Sequence, residues 1–541
     1  MSDSYFRVPE PVNEPSKEFR PMSPEKASLI AAIEKMKSSV VQIPAVIGGK
    51  EIITGDLVDC FVPHERSVVV ARYNRCGERE AKMAVEAALS AKKSWEDTPF
   101  EQRSAVFLKA AELICGPCRD EVNAAAMLGM SKTVLQSDAD AVCATADFLR
   151  YAAHSLQALY DMQPKNSKGV YNRMDMRPLE GFVFAATPFN FLSIAANLPC
   201  APAVAGNTVI WKPASSAVFP AYVIMRILVE AGLPPGVINF VPGSGAAIGG
   251  PALASENLAG IHFTGSTEVF RQMWTAVGSR IATYKNYPRL VGETGGKDFV
   301  VVHSSADIRE AATGLIRGAF EYQGQKCSAA SRAYVSSSIW GGLKEELVRQ
   351  LSVLKMGSVE DFSSFMSAVI DAAAFKNISS YIEHAIGARD EYELVFGGGF
   401  DDSKGYFIEP TVFVSKDPRS RLMSEEIFGP VLALYIYDDE NYEEALELCD
   451  ATSPYGLTGS VFARDRFAIA SAEKALRHAA GNFFINDKPS GVMAGHQPFG
   501  GARASGTNDK SGTIINMLKW VSPRAIKENL CPPKDFRYPC M

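Results

Sequence analysis

The chain has 541 residues, 47% hydrophobic and 21% charged, an ordinary soluble globular composition long enough for more than one domain. A net charge of −6 and a pI near 5.8 exclude the basic footprint of a nucleic-acid binder. No window reaches the roughly 18–20 uninterrupted apolar residues of a membrane span, and ten cysteines over this length make no disulfide framework.

Residues 1–22 carry Asp3, Glu10, Glu14 and Glu18 among few basic residues and read as an extended arm, neither a secretory signal nor an Arg-rich transit peptide. Ser23-Pro24-Glu25 then opens a helix, with Ser23 as N-cap. Residues 45–73 alternate like a small antiparallel element. From Glu78 to about Tyr160 the pattern is Ala-rich and helical, a layer that proposes no chemistry of its own. Cys115 and Cys118 form a C-x-x-C with no second pair, read as structural rather than redox or zinc-binding. No metal site is expected.

From Gly181 short strands alternate with helices: Phe182–Ala186, a helix from Leu192, Thr208–Trp211, a helix over Pro220–Ala231, Val237–Val241, Gly260–Phe263, and a helix from Ser266. This rhythm implies right-handed crossovers and a parallel sheet, whose ligands bind beyond the carboxyl ends of the strands. The residues to inspect are therefore Thr187–Phe191, Lys212–Ser215, Gly243–Ile248 and Thr264–Glu268. Gly243-Ser244-Gly245 misses the last glycine of the dinucleotide fingerprint, which leaves it a weak signal. Gly265-Ser266 at a helix start suits a pyrophosphate, because free N–H groups and the helix dipole favour anions there.

Two further stretches stand out. In Leu290-Val291-Gly292-Glu293-Thr294-Gly295-Gly296-Lys297 a carboxylate sits between glycines at a strand end; it is either a solvated turn or a general base in a tight pocket. In Gly324-Gln325-Lys326-Cys327-Ser328-Ala329-Ala330 a thiol follows a flexible turn and small neighbours; it is either a buried small hydrophobe or a nucleophile at a pocket mouth. A second α/β rhythm runs from Phe299 to about Val492, and the tail reaches a strand-like end near Val521.

These two motifs, in this order and spacing, resemble the paired signatures of the aldehyde dehydrogenase superfamily. The resemblance covers nearly the whole chain. Thr187-Pro188-Phe189-Asn190-Phe191, Ile485-Asn486-Asp487-Lys488 and the run Gln497–Asp509 bring it nearest to the branch that oxidises glutamate γ-semialdehyde. The implied fold is α/β and aldehyde dehydrogenase-like. A Rossmann-like NAD-binding domain would span 23–157 and 179–293, an α/β catalytic domain 294–498, and a β-flap oligomerisation element with tail 158–178 and 499–541, after the 1–22 arm. By the same resemblance Cys327 is the nucleophile, Asn190 and the Cys327 N–H form the oxyanion hole, and Glu293 activates water.

For the cofactor, the resemblance assigns Thr187, Lys212, Gly265, Ser266, Glu426 and Phe428. Ser215 stands where many NAD-specific relatives carry a glutamate, so NADP would meet no repulsion there. Ser328, Gly491, Val492, Phe191 and Phe499 would grip the substrate; Val492 replaces a usual serine. Read without the family, Asn190 could be a helix cap, Lys212 a surface lysine, Glu426 a solvated helix charge, and Phe191 and Phe499 core aromatics. The implied activity is NAD-dependent oxidation of a small carboxylate-bearing aldehyde to the acid, in proline breakdown. The implied assembly is a homodimer, and the implied location is the mitochondrial matrix, with the cytoplasm as alternative. Succinate semialdehyde is the rival substrate. A Cys-His hydrolase, using one of the seven histidines, is the rival from another class.

Overall fold

Five adjacent parallel strands, most of them nearly unbroken apolar runs, form the larger part of the first sheet. The structure is a computed structural model that describes residues 6–541; Asp3 and the first part of the arm lie outside the described residues. The order of this seven-stranded sheet is Arg289–Glu293, Leu258–Thr264, Phe182–Ala186, Thr208–Lys212, Ile238–Phe240, Ala45–Ile47, Lys50–Ile52. All five residues of Phe182–Ala186 are buried, as expected of a parallel strand covered on both faces. The chain leaves this strand in one direction toward Ile238–Phe240 and later returns on its other side through Leu258–Thr264. That reversal opens a crevice beyond the carboxyl ends of the two strands, lined by Thr187–Asn190 and Thr264–Ser266.

A second seven-stranded sheet runs Tyr392–Phe396, Thr411–Ser415, Val431–Tyr437, Ala330–Ser336, Asp298–Val302, Thr458–Phe462, Asn482–Ile485. Glu293 ends the last strand of the first sheet, and Cys327 lies just before Ala330–Ser336 of the second. The nucleophile candidate and the carboxylate candidate therefore meet where the two sheets face each other.

Several boundaries differ from the sequence reading. Helix Val218–Ala231 starts two residues before Pro220, because a proline in the first turn forfeits no helical hydrogen bond. The antiparallel element divides. Ala45–Ile47 and Lys50–Ile52 extend the first sheet, whereas Leu57–Val62 and Glu65–Asn74 join Val41–Ile43 in a separate three-stranded sheet. The long ribbon takes only Val170–Pro178 and Val521–Asn529, antiparallel throughout. Residues 499–509, expected with the flap, pack under Glu293 instead: the amide of Gly501 donates to its carboxylate.

The helical layer is not chemically silent. It contains a π-helical turn, Asp138–Ala144, and buried charges that pair across it. Arg119 donates to Asp138 at 2.8 Å, and Lys132 lies 2.9 Å from Asp140. Ser23 caps the first helix by accepting from the Lys26 amide. Among the described residues no helix is long and apolar enough to cross a membrane, and no cluster of three metal-ligating side chains occurs.

Candidate active site

Two cavities share one wall, and Cys327 stands in it. A cleft of about 510 Å³ is lined by Thr187, Asn190, Lys212, Gly265, Ser266, Glu426, Phe428 and Cys327. A cavity of about 410 Å³ is lined by Phe191, Glu293, Ser328, Gly491, Val492, Phe499 and Cys327. Every residue assigned by resemblance to the cofactor falls in the first except Ser215. Every residue assigned to the substrate falls in the second. Ser215 is exposed just past Ala214 of the lining, and its hydroxyl pairs with Tyr73. Among the described residues no histidine lines either cavity, so the Cys-His hydrolase reading has no base beside the sulfur.

The turn that presents Cys327 is conformationally costly and firmly staked. Tyr322, Gln323 and Gly324 are consecutive left-handed residues, with φ of 54°, 58° and 65°. Two non-glycine residues in that region cost on the order of 1 kcal/mol each. A Cβ at Gly324 would lie 2.3 Å from the Gly429 carbonyl, so only glycine fits. Gln323 repays the strain with its carboxamide: Nε2 donates to Ala368 O at 2.7 Å and to Ser131 O at 3.1 Å, and Oε1 accepts from the Ser367 amide at 3.0 Å. Gln325 Oε1 accepts from the Ile370 amide at 2.9 Å. Asn190 donates one Nδ2–H to Gln325 O at 3.0 Å, which leaves its second N–H for the cavity beside Cys327. Asn190 does not cap the following helix, whose N-cap is Phe191.

Electrostatics at the wall favour neutral forms. Burial, then the carboxylates of Asp298, Glu293 and Glu426, push the Cys327 thiol well above its ordinary range. Burial pushes Glu293 well up as well, opposed by the Gly501 N–H at 2.8 Å. Glu426 is raised to about 7 by burial, against the Gly296 N–H and Lys297. It is thus no solvated helix charge.

The 510 Å³ cleft fits a dinucleotide. Lys212 is half-buried with its ammonium depressed by burial, and it has no hydrogen-bond or ionic partner among the described residues. A Cβ at Gly265 would lie 2.7 Å from the Phe263 ring, so the backbone stays bare just before helix Thr267–Ser279. Ser266 caps that helix by accepting from the Val269 amide. Phe428 takes a φ of 57° and meets Phe189 edge-on at 5.7 Å.

The model of the aldehyde dehydrogenase family matches residues 53–524. The chain belongs to the aldehyde dehydrogenase family. It is 49% identical over 537 residues to the mitochondrial Delta-1-pyrroline-5-carboxylate dehydrogenase of Dictyostelium discoideum, covering 99% of this chain and 96% of that protein. It is 46% identical over 530 residues to the mitochondrial enzyme of the same name from Danio rerio, covering 98% and 95%. The crystal structure of Delta-pyrroline-5-carboxylate dehydrogenase from Mycobacterium tuberculosis bound with NAD superposes with a TM-score of 0.96 at 48% identity, covering 100% and 99%. The NAD-bound 1-pyrroline-5-carboxylate dehydrogenase from Thermus gives 0.91 at 34% identity, covering 97% and 100%.

This aldehyde dehydrogenase also holds groups that the sequence reading missed. Glu321, Arg317, Lys326 and Lys488 line the 410 Å³ cavity together with Asp140 and Ser16. Glu321 is bonded to Lys326 at 3.0 Å and to Arg317 at 3.0 Å, with Lys488 at 3.5 Å. Burial alone would raise Glu321; Lys326, Lys488 and Arg317 outweigh it and hold the carboxyl at about 2. Asp140 accepts from the Leu192 amide at 2.9 Å and from the Ser193 hydroxyl at 2.5 Å, fixing the helix that follows Phe191. Lys132 sits over the rings of Phe191 and Tyr322 at 4.6 and 4.1 Å, so Phe191 is clamped by a cation rather than packed as a plain core ring. Arg317, Glu321, Lys326 and Lys488 were visible as charges near the Cys327 turn and the Ile485–Lys488 run; Ser16 and Asp140 carried no local signal.

Proposed function

We propose that this chain is an NAD-dependent dehydrogenase that oxidises L-glutamate γ-semialdehyde, the open form of Δ1-pyrroline-5-carboxylate, to L-glutamate in proline catabolism. The carrying observation is that Cys327 lines both cavities, so one sulfur reaches a substrate on one side and a cofactor on the other. When bound, NAD supplies the ring carbon that accepts a hydride. The chain's own residues do the rest. The buried thiol passes its proton to Glu293 as sulfur adds to the aldehyde carbon. The spare N–H of Asn190 and the Cys327 amide hold the oxyanion, each such donor contributing roughly 3 kcal/mol. Hydride loss from that carbon leaves a thioester on Cys327. Glu293, its proton released to solvent, then takes a proton from water; the water oxygen adds to the thioester carbon and the sulfur departs.

In this reading Lys212, Gly265 and Ser266 hold the adenosine and pyrophosphate end, and Thr187, Glu426 and Phe428 frame the nicotinamide end. Ser328, Gly491 and Val492 take the carboxylate, and Phe191 and Phe499 flank the aliphatic chain. Ser215 sets no negative charge against a 2′-phosphate, so NADP is tolerated. The first sheet with its helices is the cofactor domain and the second the catalytic domain. The ribbon joins a second copy, so light scattering should give twice 58.6 kDa. The mitochondrial relatives support a matrix location, checked by fractionation.

NAD reduction with pyrroline-5-carboxylate against an aldehyde panel tests the activity; no NADH above the level of simple alkanals refutes it. Succinate semialdehyde is the second reading, favoured by the apolar Val492 in residues 488–495, the anchor loop that would hold the carboxylate. A higher kcat/KM for succinate semialdehyde would select it.

A further inference from the structure

The anchor loop has little of its own to hold it in place. The amides of His496 and Gln497 both donate to Met493 O at 3.1 Å, the Met493 amide donates to Gln497 Oε1 at 3.0 Å, and Lys488 Nζ reaches Ser490 O at 3.3 Å. These bonds close the loop on itself. Gly491 adds a φ of 90°.

Among the described residues, the hydrogen bonds that tie residues 489–497 to a remote part of the chain come from Asn13. Its Nδ2 donates to Ala494 O at 3.0 Å, and its Oδ1 accepts from His496 Nε2 at 3.1 Å. The same carboxamide faces the helix Thr145–Tyr160. Nδ2 donates to Asp147 Oδ2 at 2.8 Å, and Oδ1 accepts from the Tyr151 hydroxyl at 3.1 Å. Two donors and two acceptor positions are all used, half toward the loop and half toward the helix. Tyr151 also presses on the loop directly: a Cβ at Gly495 would lie 2.2 Å from its ring.

Asn13 is itself on a fixed support. The Glu14 amide donates to Asp147 at 2.9 Å, and the Glu14 carboxylate bridges Arg119 at 3.0 Å and Arg150 at 3.2 Å. The Lys17 amide donates to Asp138 at 2.8 Å, and Phe19 is buried. Ser16, three residues on from Asn13, lines the substrate cavity. The arm is thus bolted across the helical layer, and Asn13 extends from it to the loop.

We infer that Asn13 is a positioning residue: it sets the anchor loop at the height where the Gly491 and Val492 amides meet the carboxylate end of the substrate. This rests on the proposed role of that loop. Misplacing an anchor by a fraction of an ångström weakens productive binding without touching the sulfur chemistry.

The test compares Asn13→Ala with the unaltered full-length protein on two aldehydes, glutamate semialdehyde and propanal, which has no carboxylate. The expected result is an about tenfold lower kcat/KM for glutamate semialdehyde, carried by KM, with kcat within twofold. Propanal kcat/KM and NAD affinity should not move. Equal losses on both aldehydes, or an unchanged KM for glutamate semialdehyde, would overturn the inference. If Asn13→Ala fails to fold, His496→Ala removes the exposed loop-side partner, and the same selective loss, somewhat smaller, is expected. If the unaltered protein ignores glutamate semialdehyde, the substrate reading fails, and succinate semialdehyde against propanal still decides the role of Asn13.

Discussion

The two cavities that meet at Cys327 are built by opposite means. The cleft proposed for the cofactor is assembled chiefly from the loops that follow strands of the first sheet, with Glu426–Phe428 closing it from the second, and its surface is largely bare backbone, small residues and apolar rings. The cavity proposed for the substrate draws on Ser16, Asp140, Phe191, Glu293, Arg317, Lys488 and Ser511, separated along nearly the whole chain, and is ringed by paired charges. A cleft dictated by sheet topology follows from the fold alone. A cavity dictated by specificity needs long-range ties.

The largest blow to this contrast is one that strikes both sides. Cys327→Ala should remove NADH formation by about 10⁴-fold or more, measured by absorbance, while calorimetric NAD affinity stays within twofold. Retained turnover would strip the shared wall of its role. Glu293→Gln acts on the substrate side: steady-state turnover should fall roughly 10²- to 10³-fold, and the pre-steady-state NADH burst should slow by clearly less, because water activation leans on the carboxylate more than thiol deprotonation does. Burst and steady state slowed alike would count against its main role in freeing the acid.

A cofactor-side effect should appear as pH dependence. Glu426 is raised to about 7, so it is the neutral acid below that pH and a hydrogen-bond-accepting carboxylate above it. NAD affinity should therefore weaken about tenfold from pH 8 to pH 6, and Glu426→Gln should flatten the profile. An unaltered slope in the variant would assign the titration elsewhere, Lys297 at about 7 being the neighbouring candidate. The smallest expected change is Val492→Ser, which restores a hydroxyl to the anchor loop. About 1 kcal/mol from one hydrogen bond corresponds to a roughly fivefold lower KM for carboxylate-bearing aldehydes at constant kcat. A matching change on propanal would show a general loop effect.

How far the amino-acid sequence could be read follows the same division. The strand Phe182–Ala186 and the onset of the helix at Leu192 were legible because an unbroken apolar run and its turn are local signals. Thr187, Lys212, Gly265 and Ser266 were legible because they follow such strands. Gln323 and Gln325 were not, since their partners at Ser131, Ala368 and Ile370 are remote and a glutamine beside a glycine looks like any polar turn. The helical layer hid Asp140 and Lys132 in the same way: periodicity records which face is apolar, not which charge pairs inside it.

The bond from the Gly501 amide to Glu293 spans 208 positions of sequence. A chain is made from its amino end at roughly 5–20 residues per second. A polypeptide still emerging from the ribosome thus carries Cys327, the proposed nucleophile, well before the segment that bonds Glu293 has left the exit tunnel. Competence waits on residue 501, and a message truncated ahead of it would leave Glu293 without that hydrogen bond.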